Sequence, residues 1–435
     1  MIKIHTYDKH PNGKLIFELY LYLAALALPF SPEDVWGRNQ LKINDKIIKA
    51  DDFIKKKKVA KNKRDKSQKF EQDQLSAAQV IYNNNEALYK FLYTDSPIEK
   101  PVINPQRLKE LLTAKMDNLS DELKKVTKCP TKDKDELLQK VFRYNAFSKN
   151  KKATEMLKAM NVLVCPYCNR QYTFTVSDED GTSRPQFDHF LPKEKYPYFA
   201  VSIHNLVPCC SLCNLAKKNK EGFLYPYSEE MGYNVKFETK YLSDFRYLFG
   251  DRNAIDKFEV SVNIVNNDLD EEYEKRVKKS IKKLHLNKLY NGHKDYILNL
   301  FMKNYVFNDD YIEMLFKEFP DMFSSLKDVK NLMYLMNIEK EHWGERTLAK
   351  LTHDIDLEIT SYKKPKCTDI NRDKLSEQLA YAQERGREEE REQNITILIN
   401  ILQGHNFTNE QIVTELMDKY ELSEEKAQEK LKSKT

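Results

Sequence analysis

Between Phe187 and Lys218 the chain sets an Asp-His pair, an asparagine, three cysteines and a second asparagine close together. A histidine titrates near neutrality, so His189 is a candidate base toward water. Asp188 and the amide oxygen of Asn214 are hard oxygen donors of the kind that Mg²⁺ or Mn²⁺ takes. A water deprotonated on one side of phosphorus, with a cation holding the non-bridging and leaving oxygens on the other, is what phosphodiester hydrolysis requires. Asp188 and Asn214 are 26 positions apart, so they reach one ion only if the segments carrying them are pinned together.

The pin is legible as two Cys-x-x-Cys pairs. Cys165-Pro-Tyr-Cys168 and Cys210-Ser-Leu-Cys213 are separated by 41 residues, and each offers two thiolates in a tight turn. Four thiolates close a tetrahedral shell that suits zinc and leave no open position for water, so this zinc is expected to be structural. Cys209 competes with Cys210 for the fourth place, and Cys210 is preferred because it gives the two-residue spacing. An odd total of seven cysteines in a long, lysine-rich chain reads as metal binding in a reducing compartment, the cytoplasm, and not as a disulfide framework.

Elements must position these groups. Alternation in QYTFTV, a turn at SDEDG and an extended piece ending at Asp188-His189 predict a hairpin, and FAVSIHNLVP predicts a further strand leading into a short helix over SLCNLAKKNK. His204, beside Asn205, follows the strand alternation and is read as structural.

The ordered pattern Asp188-His189, Asn205-Leu206 and Cys210-Ser-Leu-Cys213-Asn214-Leu-Ala-Lys217 resembles the HNH, or ββα-metal, nucleases over roughly residues 164–220. The resemblance implies His189 as general base, Asp188 and Asn214 as ligands of one catalytic Mg²⁺ or Mn²⁺, and Asn205 as the residue steadying the loop that carries the histidine. Lys217, Lys218 and Arg170 would face nucleic-acid phosphates. Asn214 stands where the family name has a histidine, a variant that points to Mg²⁺. The strings CPYCN, DHFLPK and NLVPCCSLCN are similar to HNH nucleases of bacterial anti-phage defence, such as the Septu nuclease subunit, which implies an ATPase partner protein. The expected function is a DNA endonuclease. An RNA-cleaving toxin on the same fold and a catalytically silent zinc-knuckle binding protein are the alternatives.

The rest of the chain reads as helical, giving a mainly α fold with a small embedded ββα-metal zinc module and helical flanking regions. The expected divisions are a helical region 1–160, the nuclease module 161–225, a helical region 226–360, a linker 361–372 and a charged helical tail 373–435. The apolar stretch Leu15 to Phe30 contains Glu18 and is expected to be a buried helix, not a signal peptide, and no segment is long enough to span a membrane. The run KKKKVAKNKRDK, from Lys55, is either an exposed loop or a phosphate-contacting arm. The net charge of +5 sits on a basic body and an acidic tail, a balance that fits a polyanionic partner. In the tail, Thr408 and Ser423 read as helix N-caps, with Phe407 placed to staple Ile412. The apolar ITILINIL face is expected to pack on a second copy or on a partner protein, with docking on the chain's own core as the alternative.

Overall fold

The computed structural model describes residues 1–57, 63–94, 96–128, 136–243, 247–248, 250–266 and 268–362, parts of 395–403, and residues 407–420 and 422–432. Of the lysine run, residues 55–57 end the helix Ala50–Lys57 and residues 63–66 begin the helix Lys63–Asn84, while residues 58–62 and, in the linker, residues 363–372 lie outside the described residues. Helices dominate, and the strands are short two-stranded pairs. The chain divides into two units, Met1–Lys236 with Val262–Leu289 and Lys327–Leu351, and Phe237–Ser261 with Tyr290–Leu326 and Thr352–Thr435. The divisions expected at 160 and 225 do not mark a break between units, because the cysteine-rich segment lies within the first unit together with the N-terminal helices.

The first unit is organised around the helix Gly13–Ala27, the apolar run of the sequence. Ile16, Leu19, Tyr20, Leu23, Ala24 and Ala27 are all buried, and a fully buried Leu or Ile side chain contributes about 1.5–3 kcal/mol. The helix must start at a glycine, since a Cβ on Gly13 would lie 2.0 Å from the Tyr7 carbonyl oxygen. Glu18, the charge that interrupts the apolar run, is buried but paired. Its carboxylate takes Arg38 Nη2 at 2.5 Å and the Lys42 backbone N–H at 3.3 Å. Among the described residues no helix is long and apolar enough to cross a membrane. Two helices that pack on this one, Tyr144–Ser148 and Lys151–Met160, lead to the cysteines. Asn150 caps the second through Lys152 N–H (2.9 Å), and Asn161, at φ +46°, ends it in the left-handed region.

From here the strands pair differently from the sequence expectation. QYTFTV does not partner the segment ending at His189. Its first half folds back on residues 162–165, through Cys165 N–H to Gln171 O (2.9 Å), Thr173 N–H to Leu163 O (2.8 Å) and a Val164–Tyr172 bridge. Only Val176–Ser177 and Thr182–Ser183 form a hairpin across the SDEDG turn. The strand Gln186–His189 instead pairs antiparallel with Leu206–Cys209, in the register Asp188 opposite Val207 and His189 opposite Leu206. The chain between them makes two 3-10 turns, Pro197–Phe199 and Ile203–Asn205, so His204 lies in a turn and not on a strand. The helix Ser211–Lys217 follows at once.

The second unit contains residues 237–241 and 258–261 of the strands Val235–Tyr241 and Phe258–Ile264, which pair with each other. Asp354 accepts the Phe237 N–H at 2.9 Å, which gives that carboxylate a structural partner. The tail folds onto this unit. Ile395, Leu398, Ile399 and Leu402 are buried with Ile412, Val413, Leu416, Ala427 and Leu431, and Tyr241, Leu248 and Phe407 pack against them. Thr408 and Gln411 make a reciprocal capping box at the start of Asn409–Tyr420, each side chain bonding the other's backbone N–H at 3.3 and 3.0 Å. The ITILINIL face is expected on a second copy or a partner protein because so short a segment cannot bury it fully, with the chain's own core as the alternative. Its described residues are covered by the tail's own helices and by Tyr241 and Leu248, which lie about 150 residues earlier in the chain.

Candidate functional site

The four cysteines of the two pairs come together. Their sulfurs all lie within 4.8 Å of one another, with Cys168 Sγ and Cys210 Sγ 4.0 Å apart. Zinc at about 2.3 Å from each sulfur in a tetrahedron puts sulfurs roughly 3.8 Å apart, so the donor set fits a metal such as zinc. Backbone amides are aimed at the sulfurs in both knuckles: Arg170 N–H points at Cys168 Sγ and Cys213 N–H at Cys210 Sγ, each at 3.4 Å. Cys210 is also the N-cap of Ser211–Lys217, so the metal site and the helix start share one residue. Cys209 is buried but not part of the cluster. Burial pushes the Cys165 thiol well above its ordinary range, which a bound cation would reverse. The first knuckle turns at Asn169 (φ +52°), whose side chain donates to Trp343 O at 2.8 Å and accepts the Lys350 N–H at 3.2 Å.

The predicted base is set by its own loop. His189 Nε2 is 3.0 Å from Ala200 O, and since a carbonyl only accepts, Nε2 carries the hydrogen and Nδ1 keeps the lone pair. Burial pushes the ring's pKa down to about 3, a shift that the Ala200 bond opposes in part, so the imidazole is neutral near pH 7. The Tyr144 ring stands edge-on to it at 4.3 Å. Asn205 is fully buried and clamps the same loop, accepting Leu191 N–H at 2.7 Å and donating to Leu191 O (3.1 Å) and Phe199 O (2.9 Å).

Asp188 is 2% exposed, and its carboxylate accepts the Tyr167 hydroxyl at 2.6 Å and the Lys217 ammonium at 3.2 Å. Desolvation raises its pKa, partly offset by Lys217 and Tyr167. Lys217 requires a correction. Expected to face phosphates, it is completely buried, and its three N–H donors go to Asp188, His189 O (2.7 Å) and Phe190 O (3.1 Å). Asn214 is half-buried one helical turn earlier and donates to Gln186 Oε1 at 2.6 Å, which leaves its amide oxygen for another partner.

Asp188, His189 and Asn214 border one cavity of about 670 Å³. Its wall includes Lys218, Arg184, Lys193 and Tyr144. Arg170 sits on the first knuckle and does not line this cavity, so it does not join Lys218 there. His204 is elsewhere: its ring stacks on Tyr7 at 5.2 Å and its Nδ1 lies 3.0 Å from Thr113 O. Sequence reasoning missed Tyr144, Arg184 and Tyr167. Tyr167 had a signal, its place between two metal cysteines, whereas Tyr144 comes from a helix 45 positions before His189 and no local spacing announces it.

No protein-family model matches the chain, and no solved structure matches it. It is similar to the protein ea31 of Escherichia phage lambda, 35% identical over 86 residues, which are 19% of this chain and 26% of that protein. The chain thus spans about a quarter of the length of the curated relative it matches.

Proposed function

We propose that this chain is a metal-dependent endonuclease of the HNH, or ββα-metal, kind, with DNA as its substrate. The observation that carries the reading is the convergence of His189, Asp188 and Asn214 on one cavity, beside four cysteines that join the Cys165–Cys168 knuckle to the start of the helix Ser211–Lys217. The neutral ring of His189 holds its bare Nδ1 lone pair for a water proton, while Ala200 O fixes the tautomer and Asn205 fixes the loop. Asp188 and Asn214 would hold Mg²⁺ or Mn²⁺. A carboxylate offers about four lone-pair sites, so the bonds from Tyr167 and Lys217 leave lone pairs on Asp188 for a cation, and the Asn214 amide oxygen would add a second donor. When bound, that ion supplies Lewis-acid stabilisation of the phosphate oxygens. Lys218, Arg184 and Lys193 give the cavity wall the positive charge that a nucleic-acid backbone needs. The motif resemblance extends the proposal to an effector nuclease in bacterial defence, acting with an ATPase partner.

The test is cleavage by the purified full chain, zinc-loaded, of plasmid DNA, single-stranded DNA and RNA, with EDTA or with added Mg²⁺ or Mn²⁺. Nicking of DNA that EDTA abolishes and Mg²⁺ restores is expected. Cutting of RNA alone would reassign the substrate, and no cutting under any metal would sink the nuclease reading.

A further inference from the structure

Lys217 sits where an ammonium and a divalent cation would compete. Its Nζ is 3.2 Å from the carboxylate of Asp188, the residue read above as a cation ligand, and no part of the side chain reaches solvent. Phe190 and Phe223 flank the ammonium, their ring centres 5.8 and 5.7 Å away, so little water screens it. Two of its donors are spent on the carbonyls of His189 and Phe190, at the start of the loop that carries the base. One side chain therefore does two separable things: it neutralises Asp188, and it ties the base's loop to the helix Ser211–Lys217.

We infer that Lys217 is an internal counter-ion that lowers the affinity of the Asp188–Asn214 site for divalent cations while holding the His189 loop in register. The inference rests on the endonuclease reading of Asp188. In the absence of a metal the ammonium keeps a buried carboxylate paired, since a buried charge without a counter-charge is strongly destabilising. With a metal present, the fixed positive charge beside Asp188 repels it. The site is then tuned toward weak binding, filled best when substrate phosphate adds negative charge to the cavity. A tight resident ion would not need the cavity to be occupied.

Binding of Mn²⁺ to the zinc-loaded full chain, followed by calorimetry and by the Mn²⁺ electron paramagnetic signal, tests this without reference to cleavage. Lys217→Gln keeps amide donors for the two carbonyls but removes the charge, and it should bind Mn²⁺ at least about tenfold more tightly than the parent. Lys217→Arg, which keeps the charge, should bind no more tightly than the parent. If burial of an unpaired Asp188 loosens the Gln variant, the same difference appears as a larger rise in its melting temperature on adding Mn²⁺ than the parent shows. A Gln variant with parental Mn²⁺ affinity and parental thermal shift would overturn the inference. Asp188→Asn separates the two claims: if it leaves parental Mn²⁺ binding unchanged, Asp188 is not a ligand and the underlying reading fails.

Discussion

The Nε2 atom of His189 lies 3.0 Å from the carbonyl oxygen of Ala200, eleven residues later in the same loop. That single bond decides which ring nitrogen is bare. Asn205, fully buried, makes three hydrogen bonds to Leu191 and Phe199 that hold the same loop.

Asn205→Ala should therefore damage both stability and activity. It strands buried loop groups around Leu191 and Phe199, each worth about 1–3 kcal/mol when left unpaired. Asn214→Ala, at a half-buried position whose side chain bonds Gln186, should leave the melting temperature within a few degrees of the parent while cleavage falls by at least tenfold, as loss of a positioned oxygen ligand would give. Calorimetric melting and plasmid nicking of the two variants check the contrast. Equal stability losses in both would mean that Asn214 is structural.

Cys213→Ser should lose the metal and unfold the cysteine-rich segment, since structural zinc in small domains contributes on the order of 10 kcal/mol. Cys209→Ser should retain it, because that thiol is not in the cluster. Metal analysis by mass spectrometry after gel filtration reads both. Zinc lost from the Cys209 variant and kept in the Cys210→Ser variant would exchange the two residues' roles.

His204 gives a pH dependence. Burial lowers its pKa, and its Nε2 is buried without a hydrogen-bond partner among the described atoms. A depressed folded-state pKa means that the unfolded chain takes up this proton first, so folding stability is complete above the ordinary histidine value, about 6.5, and declines as pH falls below it. The melting temperature should drop more steeply between pH 7 and 5 for the parent than for His204→Gln. Parallel curves for the two proteins would show that His204 does not titrate on unfolding.

In the tail, Leu416 is fully buried in the apolar cluster with Ile395, Ile399 and Ile412. Leu416→Ala should cost about 2–5 kcal/mol and leave the molar mass in solution unchanged. Light scattering and thermal unfolding distinguish the cases. A variant that keeps its melting temperature but halves in mass would make this cluster an interface between copies.

How much of this was legible in sequence depends on how local the signal is. Cys165, Cys168, Cys210 and Cys213 declare themselves because a metal knuckle is a two-residue spacing, and the Thr408 cap because a capping box is a three-residue one. The pairing of Gln186–His189 was not legible: QYTFTV alternates as a strand should, but its first half is taken by the knuckle backbone at Leu163 and Cys165. Lys217 was misread for the same reason. A lysine near a helix end is normally solvated, and the acceptors that bury this one, on His189 and Phe190, lie 28 and 27 positions away. Tyr144 and Arg184 are brought to the cavity by helix packing and loop path, for which no spacing rule exists.

The central claim, that His189 is a base serving phosphodiester hydrolysis, is tested most directly by comparing His189→Ala with the parent on supercoiled plasmid DNA in Mg²⁺, with zinc content and folding verified in both. The account predicts that the parent cuts and that the variant, still folded and zinc-loaded, is slower by roughly 10² to 10⁴, the usual contribution of positioned proton transfer. A folded variant that cuts as fast as the parent would contradict it.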